Sequence, residues 1–544
     1  MLGTINLKNL LAFVVVLGSF VHFFGGNVAD PDLWAHLQYG RTFWAGQGIP
    51  MVETYSYTAA GETFYDHEWL TDVVFAGIHD AVGVEGLVLG KLGMLAFLMA
   101  LLMGTVAQTR RLLAPETDRI DPWTAAVVLV LGCAVIGPGA TFRAQLFTMI
   151  FLALEGWLLC GEDERRRTDG ARRSPLTSWR LLLVLPLLLV WANLHGGFLV
   201  GVGMFGLWAA GAALDEIDEN RRAGDASWVP VVGDIASLGV LCALAMAAPL
   251  VNPFGIDLYF YLARTLDDHG QISEWYPVTL FSMEFARFKL LVGLTALSLW
   301  VLRPRRSAML GAWGWRCLFA LVAAYMAFAH QRHTVLFAIV ATPIVVVGIE
   351  GLRQHLLRSH PILQPRRAVL GLIGAGAVCL SLFQIGTWTR QLTDHGLSIR
   401  YGRLDYPVDA VEFLRAHDFS GNLAMPFEWG AFAITKLAPD SRVFIDGRFE
   451  AVYPPGVIDD YFAFLNGTPG WERLLDDYPT DIVVVQRWRG IHPRLFERDD
   501  LVYVYSDPAS LVFVRPGPRT QGALDRVAAA RDRSDFPRLA TYFP

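Results

Sequence analysis

"LLAFVVVLGSFVHFFGGNVADPDLWAHLQYGR", Leu10–Arg41, decides how the rest of the chain is read. Its first part, about Leu10 to Gly26, is an unbroken apolar run of the kind that crosses a bilayer. Lys8 is the only early cation, and no convincing small-residue cleavage site precedes Asp30. The run therefore reads as a retained first transmembrane helix rather than a signal peptide. Directly beyond it stand two carboxylates one residue apart, Asp30 and Asp32. An acid at that depth is either a helix cap or the centre of a reaction.

The remaining sequence supports the membrane reading. Of 544 residues, 53% are hydrophobic and 18% charged, with a mean hydropathy of +0.38. Soluble chains carry roughly 25% charged residues. The net charge of -6, with no Lys/Arg block on a polar face, argues against nucleic acid as a partner. All five cysteines fall in apolar runs, without metal or disulfide spacing.

About eleven spans are expected, near 8–27, 84–107, 122–140, 145–161, 180–194, 197–214, 230–250, 287–302, 308–329, 334–350 and 367–387. The stretch "LPLLLVWANLHGGFLVGVGMFG" also admits one long broken helix. Cations gather on alternate loops: Arg110, Arg111 and Arg119; Arg165, Arg166, Arg167, Arg172, Arg173 and Arg180; Arg221 and Arg222; Arg303, Arg305 and Arg306; Arg353, Arg358, Arg366 and Arg367. By the positive-inside rule the N-terminus is cytoplasmic, and with eleven spans the C-terminus is outside. The expected home is a bacterial inner membrane, crossed many times.

Two outer segments are large. The first, residues 27–80, is rich in Trp, Tyr, His and acids, and belongs in this reading to a transmembrane domain of residues 1–387. The second, residues 388–544, mixes helix-like pieces ("DAVEFLRAHD", "WERLLDDY") with β-rich runs ("RVFIDGR", "DIVVVQR", "LVYVYSD", "SLVFVRP"). It reads as a periplasmic α/β domain ending in an antiparallel hairpin turned at Asp-Pro-Ala-Ser. No nucleotide-binding fingerprint occurs in it.

The first outer loop holds two acidic nodes, "DPD" at Asp30–Asp32 and "DHEW" at Asp66–Trp69. Asp30 with Pro31 behind it fits an N-cap, and Asp32 fits a first-turn acid. Capping leaves Asp66, His67 and Glu68 unexplained, and paired acids suit general-base work. Trp34, Trp44 and Trp69 suit the membrane interface. On the outer side, Arg143 and the "HQRH" turn with Arg332 and His333 are candidates to hold a phosphate, or else are interfacial cations. His195 in "NLHGGF" either lines a pocket or sits satisfied in a helix-breaking turn. Glu155 and Asp234, read as lying near the inner ends of their spans, are expected to snorkel or pair. Arg316 falls deeper than a surface residue should.

Three elements, "DPDLWAHLQYGR" (Asp30–Arg41), "GIPMVETYSYT" (Gly48–Thr58) and "HEWL" (His67–Leu70), together with "WANLHGGFLVG", "NPFG" and "DGRFEAVYP", carry a resemblance. The chain resembles bacterial members of the GT-C glycosyltransferases, the class of protein O-mannosyltransferases, aminoarabinose transferases and oligosaccharyltransferases. The resemblance implies an all-α polytopic GT-C domain with a periplasmic α/β domain. It implies transfer of a sugar from a polyprenyl-phosphate or polyprenyl-diphosphate carrier to a lipid, glycan or protein acceptor on the outer face. It places the catalytic carboxylate on Asp30. The expected site is a pocket lined by Asp30, Asp32, His67 and Glu68, with Trp34, Trp69 and His195 nearby and Arg143 or Arg332 in reach. Metal binding stays open in the sequence: Asp30, Asp32, His67 and Glu68 could together ligate a divalent Mg or Mn, or no ion at all. The competing readings are a lipid-linked glycan transporter or flippase, and a non-catalytic membrane scaffold.

Overall fold

The computed structural model describes residues 6–168, 174–224, 227–264, 272–304, 310–359, 367–402 and 405–530. Arg172, Arg173, Arg305, Arg306 and Arg366 of the charge pattern, and the last residues of the expected C-terminal domain, lie outside them. In chain order the helices are α1 Leu7–Phe24, α2 Pro31–Thr42, α3 Trp69–Val82, α4 Val84–Leu113, α5 Pro122–Ile136, α6 Gln145–Thr168 and α7 Trp179–Leu194. They continue with α8 Phe198–Ala223, α9 Val229–Ala247, α10 Asp257–Arg264, α11 Ala286–Val301, α12 Leu310–Ala329, α13 Thr334–Ser359 and α14 Arg367–His395. The remaining six are α15 Val408–Ala416, α16 Phe427–Leu437, α17 Pro455–Asn466, α18 Arg473–Asp476, α19 His492–Leu495 and α20 Gln521–Ala530.

Contacts divide the chain into two compact units. One holds residues 1–26, 89–262 and 266–396; the other holds 27–88, 263–265 and 397–544. The first outer loop thus packs with the C-terminal segment rather than with the helices that flank it in sequence.

The first unit is helical. Nine helices among the described residues are long and apolar enough to cross a membrane: α1, α4, α5, α6, α8, α9, α12, α13 and α14, some extended by a turn. The other two expected spans are the shorter helices α7 and α11, of 16 residues each. The ambiguous fifth and sixth segments resolve into two helices, because α7 stops at Leu194 and α8 begins at Phe198.

Close helix contacts in this unit fall on small residues. A Cβ on Gly311 of α12 would lie 1.9 Å from the carbonyl oxygen of Gly211 in α8, so only glycine permits that crossing. This is how helices pack where no hydrophobic driving force separates protein from solvent.

The deep Arg316 now has an account. Its guanidinium donates to Asp163 Oδ2 at 2.7 Å and to the carbonyl of Ala312 at 2.6 Å. The indole N–H groups of Trp208 and Trp315 complete the Asp163 carboxylate at 2.8 and 3.1 Å. A buried ion pair of this kind is tolerated only when hydrogen bonds satisfy its remaining valences. Glu155 corrects its expectation. It lies mid-helix in α6, fully buried against Gly201 of α8, and its carboxyl has no hydrogen-bond partner among the described residues.

The second unit is built on a five-stranded sheet of β1 Gly421–Ala424, β2 Ser441–Val443, β3 Ile482–Gln486, β4 Val502–Ser506 and β5 Ser510–Val514. The strand order is β2-β1-β3-β5-β4. β1 runs parallel to β2 and β3, and β5 is antiparallel to β3 and β4. The β4–β5 hairpin turns where Asp-Pro-Ala-Ser placed it. Asp507 closes the turn by accepting the N–H groups of Ala509 and Ser510, both at 2.7 Å. The outer edge of β2 is covered by the first loop: Val443 N–H donates to Tyr55 and Tyr57 N–H to the Val443 carbonyl, at 3.0 and 3.1 Å. An uncovered edge would present a row of unpaired backbone groups.

Candidate active site

The acidic site is assembled from α2, α3 and one turn of the C-terminal segment, all in the second unit. Asp30 is the N-cap of α2: its Oδ1 accepts the Asp32 N–H at 3.1 Å, with Pro31 in the first helical turn. The stretch before it is pinned by Arg400 and Tyr406, since Ala29 N–H donates to Arg400 O at 2.7 Å and Tyr406 Oη donates to Ala29 O at 3.2 Å. Cap and chemistry are compatible, because a cap occupies one carboxylate oxygen and fixes the direction of the other.

α2 crosses α3 at Gly40, where a Cβ would fall 2.0 Å from the Asp72 carbonyl oxygen. That closeness brings the two acidic nodes together. His36 Nδ1 meets Asp72 Oδ1 at 2.5 Å, and His36 Nε2 faces Glu68 Oε2 at 4.0 Å. On Glu68's other side, Oε1 stands 3.6 Å from His67 Nε2. Asp66 is hydrogen-bonded to Asp72, and both carboxyls are pushed well above the usual range. For each the first cause is burial; the next is a neighbouring carboxylate, Asp72 for Asp66 and Glu68 for Asp72. Burial and the neighbouring carboxylates thus favour the protonated forms of both Asp66 and Asp72, and Asp72 orients His36 through its contact with Nδ1.

His36 and Asp72 were missed in the sequence, although a signal existed. Asp32 and His36 are four apart on one helix, as are Glu68 and Asp72 on the other. Each pair therefore lies on a single helical face.

The "DGRFEAVYP" motif supplies the third side. A Cβ on Gly447 would lie 3.4 Å from Asp32 Oδ1, so the Asp446–Arg448 turn sits against the start of α2. Arg448 is buried and ties loop to turn. It holds Asp446 through Nε at 2.9 Å and Nη2 at 2.6 Å, and it also donates to Glu53. Its guanidinium lies 5.3 and 5.1 Å from the ring centres of Tyr39 and Phe64. Glu53 in turn accepts the N–H groups of Tyr55 and Ser56, both at 2.5 Å.

Trp34 is corrected from an interfacial or pocket residue to a core residue. It is buried with its ring against Phe432, Tyr401 and Tyr406, centroids 4.9, 5.7 and 6.1 Å away. The apolar face of α2 packs on α16 of the C-terminal segment. Trp44 is exposed, and Trp69, at the first position of α3, tilts against Phe43.

The remaining candidates lie in the helical unit. One turn, Ser273–Trp275, gathers three of them: Glu274 pairs with Arg143 at 2.5 Å, Arg332 lies 4.8 Å from the Trp275 ring centre, and the His333 ring is 6.2 Å from that of Trp275. His195 is a turn residue. Its Nδ1 accepts the Gly197 N–H at 2.9 Å and the Thr148 hydroxyl at 2.8 Å, which places the ring proton on Nε2. Lys91 was not foreseen. It is buried at the start of α4, donates to the Gly26 carbonyl at 2.8 Å and lies 4.7 Å from the Phe142 ring centre.

Among the described residues, no group of three or more His, Cys, Asp or Glu side chains is arranged to hold a metal ion. The candidate Mg or Mn ligand set of Asp30, Asp32, His67 and Glu68 is not gathered as one cluster. Asp30 gives one oxygen to its cap, and Glu68 faces His36 and His67. The residues as arranged do not fit a divalent ion, and no chemical step is derived through one.

No protein-family profile matches the chain, and no curated protein does. Solved structures do. The apo oligosaccharyltransferase of Archaeoglobus fulgidus superposes with a TM-score of 0.53 at 12% identity, over 95% of this chain and 75% of its own. The same organism's AglB, in complex with an inhibitory peptide and a dolichol-phosphate, gives 0.52 at 12% identity over 88% and 69%. Apo ArnT from Cupriavidus metallidurans gives 0.47 at 12% identity over 93% and 97%. The identity is far too low to carry residues across, but the path of the backbone is shared, and the chain has the fold of the Archaeoglobus fulgidus oligosaccharyltransferase.

Proposed function

We propose that this chain is an integral-membrane glycosyltransferase that moves a sugar from a polyprenyl-phosphate or polyprenyl-diphosphate carrier to an acceptor on the outer face of a bacterial inner membrane. In this reading the N-terminus is cytoplasmic and the second unit periplasmic. Support comes from the oligosaccharyltransferase-like fold, one example of which is complexed with a dolichol-phosphate. The observation that carries the proposal is the gathering of Asp32, two residues along the chain from Asp30, with Asp66, Glu68, Asp72 and His36 where α2, α3 and the Asp446–Arg448 turn meet.

Asp30 is assigned as the base. Its carboxylate takes the proton of the acceptor group as that atom attacks the anomeric carbon. The bond from that carbon to the carrier's phosphate oxygen breaks, and the carrier keeps the electron pair. Arg143, Arg332, His333 and Lys91 are assigned to the negative phosphate, whose charge grows as it leaves. Asp72 and His36 position Glu68. Which sugar and acceptor are used is left open by these residues.

Asn is as good an N-cap as Asp, so Asp30→Asn removes the base and keeps the helix start. Transfer, read as surface glycan in the host at matched protein level, should fall about 10²-fold or more. Binding of a polyprenyl phosphate to the purified variant should be unchanged. Asp32→Asn should do less. Full transfer by Asp30→Asn together with loss in Asp32→Asn would reverse the assignment, and an unchanged glycan profile in both would favour a scaffold.

A further inference from the structure

The loop between the Ser273–Trp275 turn and α11 ends in a strongly exposed apolar tip. Phe281 is 96% exposed and Met283 86%, with Leu280 exposed beside them. Three such side chains on a water-facing loop would be costly, at roughly 25 cal/mol for each Å² of apolar surface left wet.

The polar groups of the same loop are turned inward. Thr279 Oγ1 donates to Ser282 Oγ at 2.7 Å, and Lys289 Nζ donates to the Ser282 carbonyl at 2.5 Å. Ala286 N–H donates to the Met283 carbonyl at 3.2 Å. Irregular backbone near hydrocarbon needs its polar atoms met internally, and in this turn the Ser282 and Met283 carbonyls are so met. Phe285, held at a left-handed φ of 55°, turns the chain from the tip into α11.

The height of the tip follows from register along the neighbouring helices. Phe288 of α11 packs on Phe337 of α13 with ring centres 5.5 Å apart, and ten residues on, Ser298 meets Gly348, where a Cβ would lie 2.3 Å away. The two helices therefore run parallel and start at the same level. Just ahead of the tip, Val278 N–H donates to Phe328 O at 2.9 Å and Gln331 N–H to Tyr276 O at 3.1 Å. The loop is thus tied to the turn joining α12 and α13, two of the candidate spans, at the rim of the bundle.

α11 has 16 residues and rises about 24 Å at 1.5 Å per residue. The hydrocarbon core is about 30 Å thick. The apolar tip ahead of it supplies the missing length. Charged residues, Glu284 and Arg287, follow it, as charged residues do at membrane interfaces.

We infer that Leu280–Met283 is a lipid-inserting tip, seated among the acyl chains just below the headgroups of one leaflet. Its occupant is the bilayer itself rather than a protein or the donor. The inference is independent of the glycosyltransferase reading.

The test uses the full-length chain in phosphatidylcholine nanodiscs, with native cysteines replaced and a single NBD-labelled cysteine at 281. Leu372→Cys, on the span α14, is the lipid control, and Glu497→Cys, on the sheet unit, the water control. The 281 label should emit as far to the blue as the 372 label and be quenched by shallow doxyl-labelled lipid. Met283→Cys should behave the same, which guards against a local effect of either label. Emission at the wavelength of the 497 label without lipid quenching would overturn the inference. Blue-shifted emission without lipid quenching would overturn it equally, because protein or bound carrier would then cover the tip.

Discussion

Two acidic centres lie within one unit of this protein, and they are solved differently. At Arg448, two buried carboxylates, Glu53 and Asp446, share one guanidinium packed between Tyr39 and Phe64. Around His36, the carboxyls of Asp66 and Asp72 are raised by burial first and by neighbouring carboxylates next, which favours keeping a proton. The first arrangement fixes the loop to the C-terminal segment through charge-paired hydrogen bonds. The second keeps protons mobile, which is what a group that must accept one requires. Paired acids hold the fold; crowded acids are the ones available to react.

The contrast is broken most sharply by removing Arg448. Arg448→Met leaves Glu53 and Asp446 buried without a cation and should cost about 3–5 kcal/mol, the usual penalty for half of a buried pair. Thermal unfolding of the purified full-length chain should show the loss. The triple change with Glu53→Gln and Asp446→Asn should recover part of it. A single Arg448→Met variant as stable as the parent would show that the latch does not hold the loop.

Next in size is the helix crossing that gathers the reactive centre. Gly40→Ala places a methyl against the Asp72 backbone and should cost about 1–3 kcal/mol through overpacking. The separation of α2 from α3 should lengthen the contact between His36 and Asp72. The imidazole Nδ1–H resonance, shifted downfield by that short hydrogen bond, should move upfield. An unmoved resonance would mean that the crossing flexes without opening the site.

The smallest effect is one of pH. Asp66 has its carboxyl raised in the folded chain above its ordinary value of 3.8, by burial first and by Asp72 next. Folding therefore favours the protonated form. The contribution is fully present below that ordinary value and is lost as pH rises through the raised one. Asp66→Asn cannot ionise, so its stability should fall less than the parent's as pH rises above that ordinary value, the slope that remains belonging to Asp72, whose carboxyl is raised too. Parallel stability curves for variant and parent would remove the raised Asp66 carboxyl from the account.

The legible part of this protein lies along the chain. The long apolar runs, the α7–α8 break at "NLHGG", the cap at Asp30 and the hairpin at Asp-Pro-Ala-Ser each follow from periodicity or turn chemistry within a few residues. Asp30, Asp32 and Glu68 stood out for the same reason, as acids crowded where the first outer loop begins and ends. Lys91 gave no such signal, because a single Lys at the start of an apolar run is read as interfacial until its carbonyl and ring partners are known.

What the sequence by itself determined was the membrane class, the helices and the existence of an acidic loop, since these depend on hydropathy and on backbone preferences that act locally. What only the tertiary structure decided was which acids meet. Asp72 joins His36 across 36 positions and Arg448 joins Glu53 across 395, through one glycine crossing and one sheet edge. Burial and a neighbour's charge set whether a carboxyl keeps its proton, and both belong to the packed state rather than to any stretch of residues.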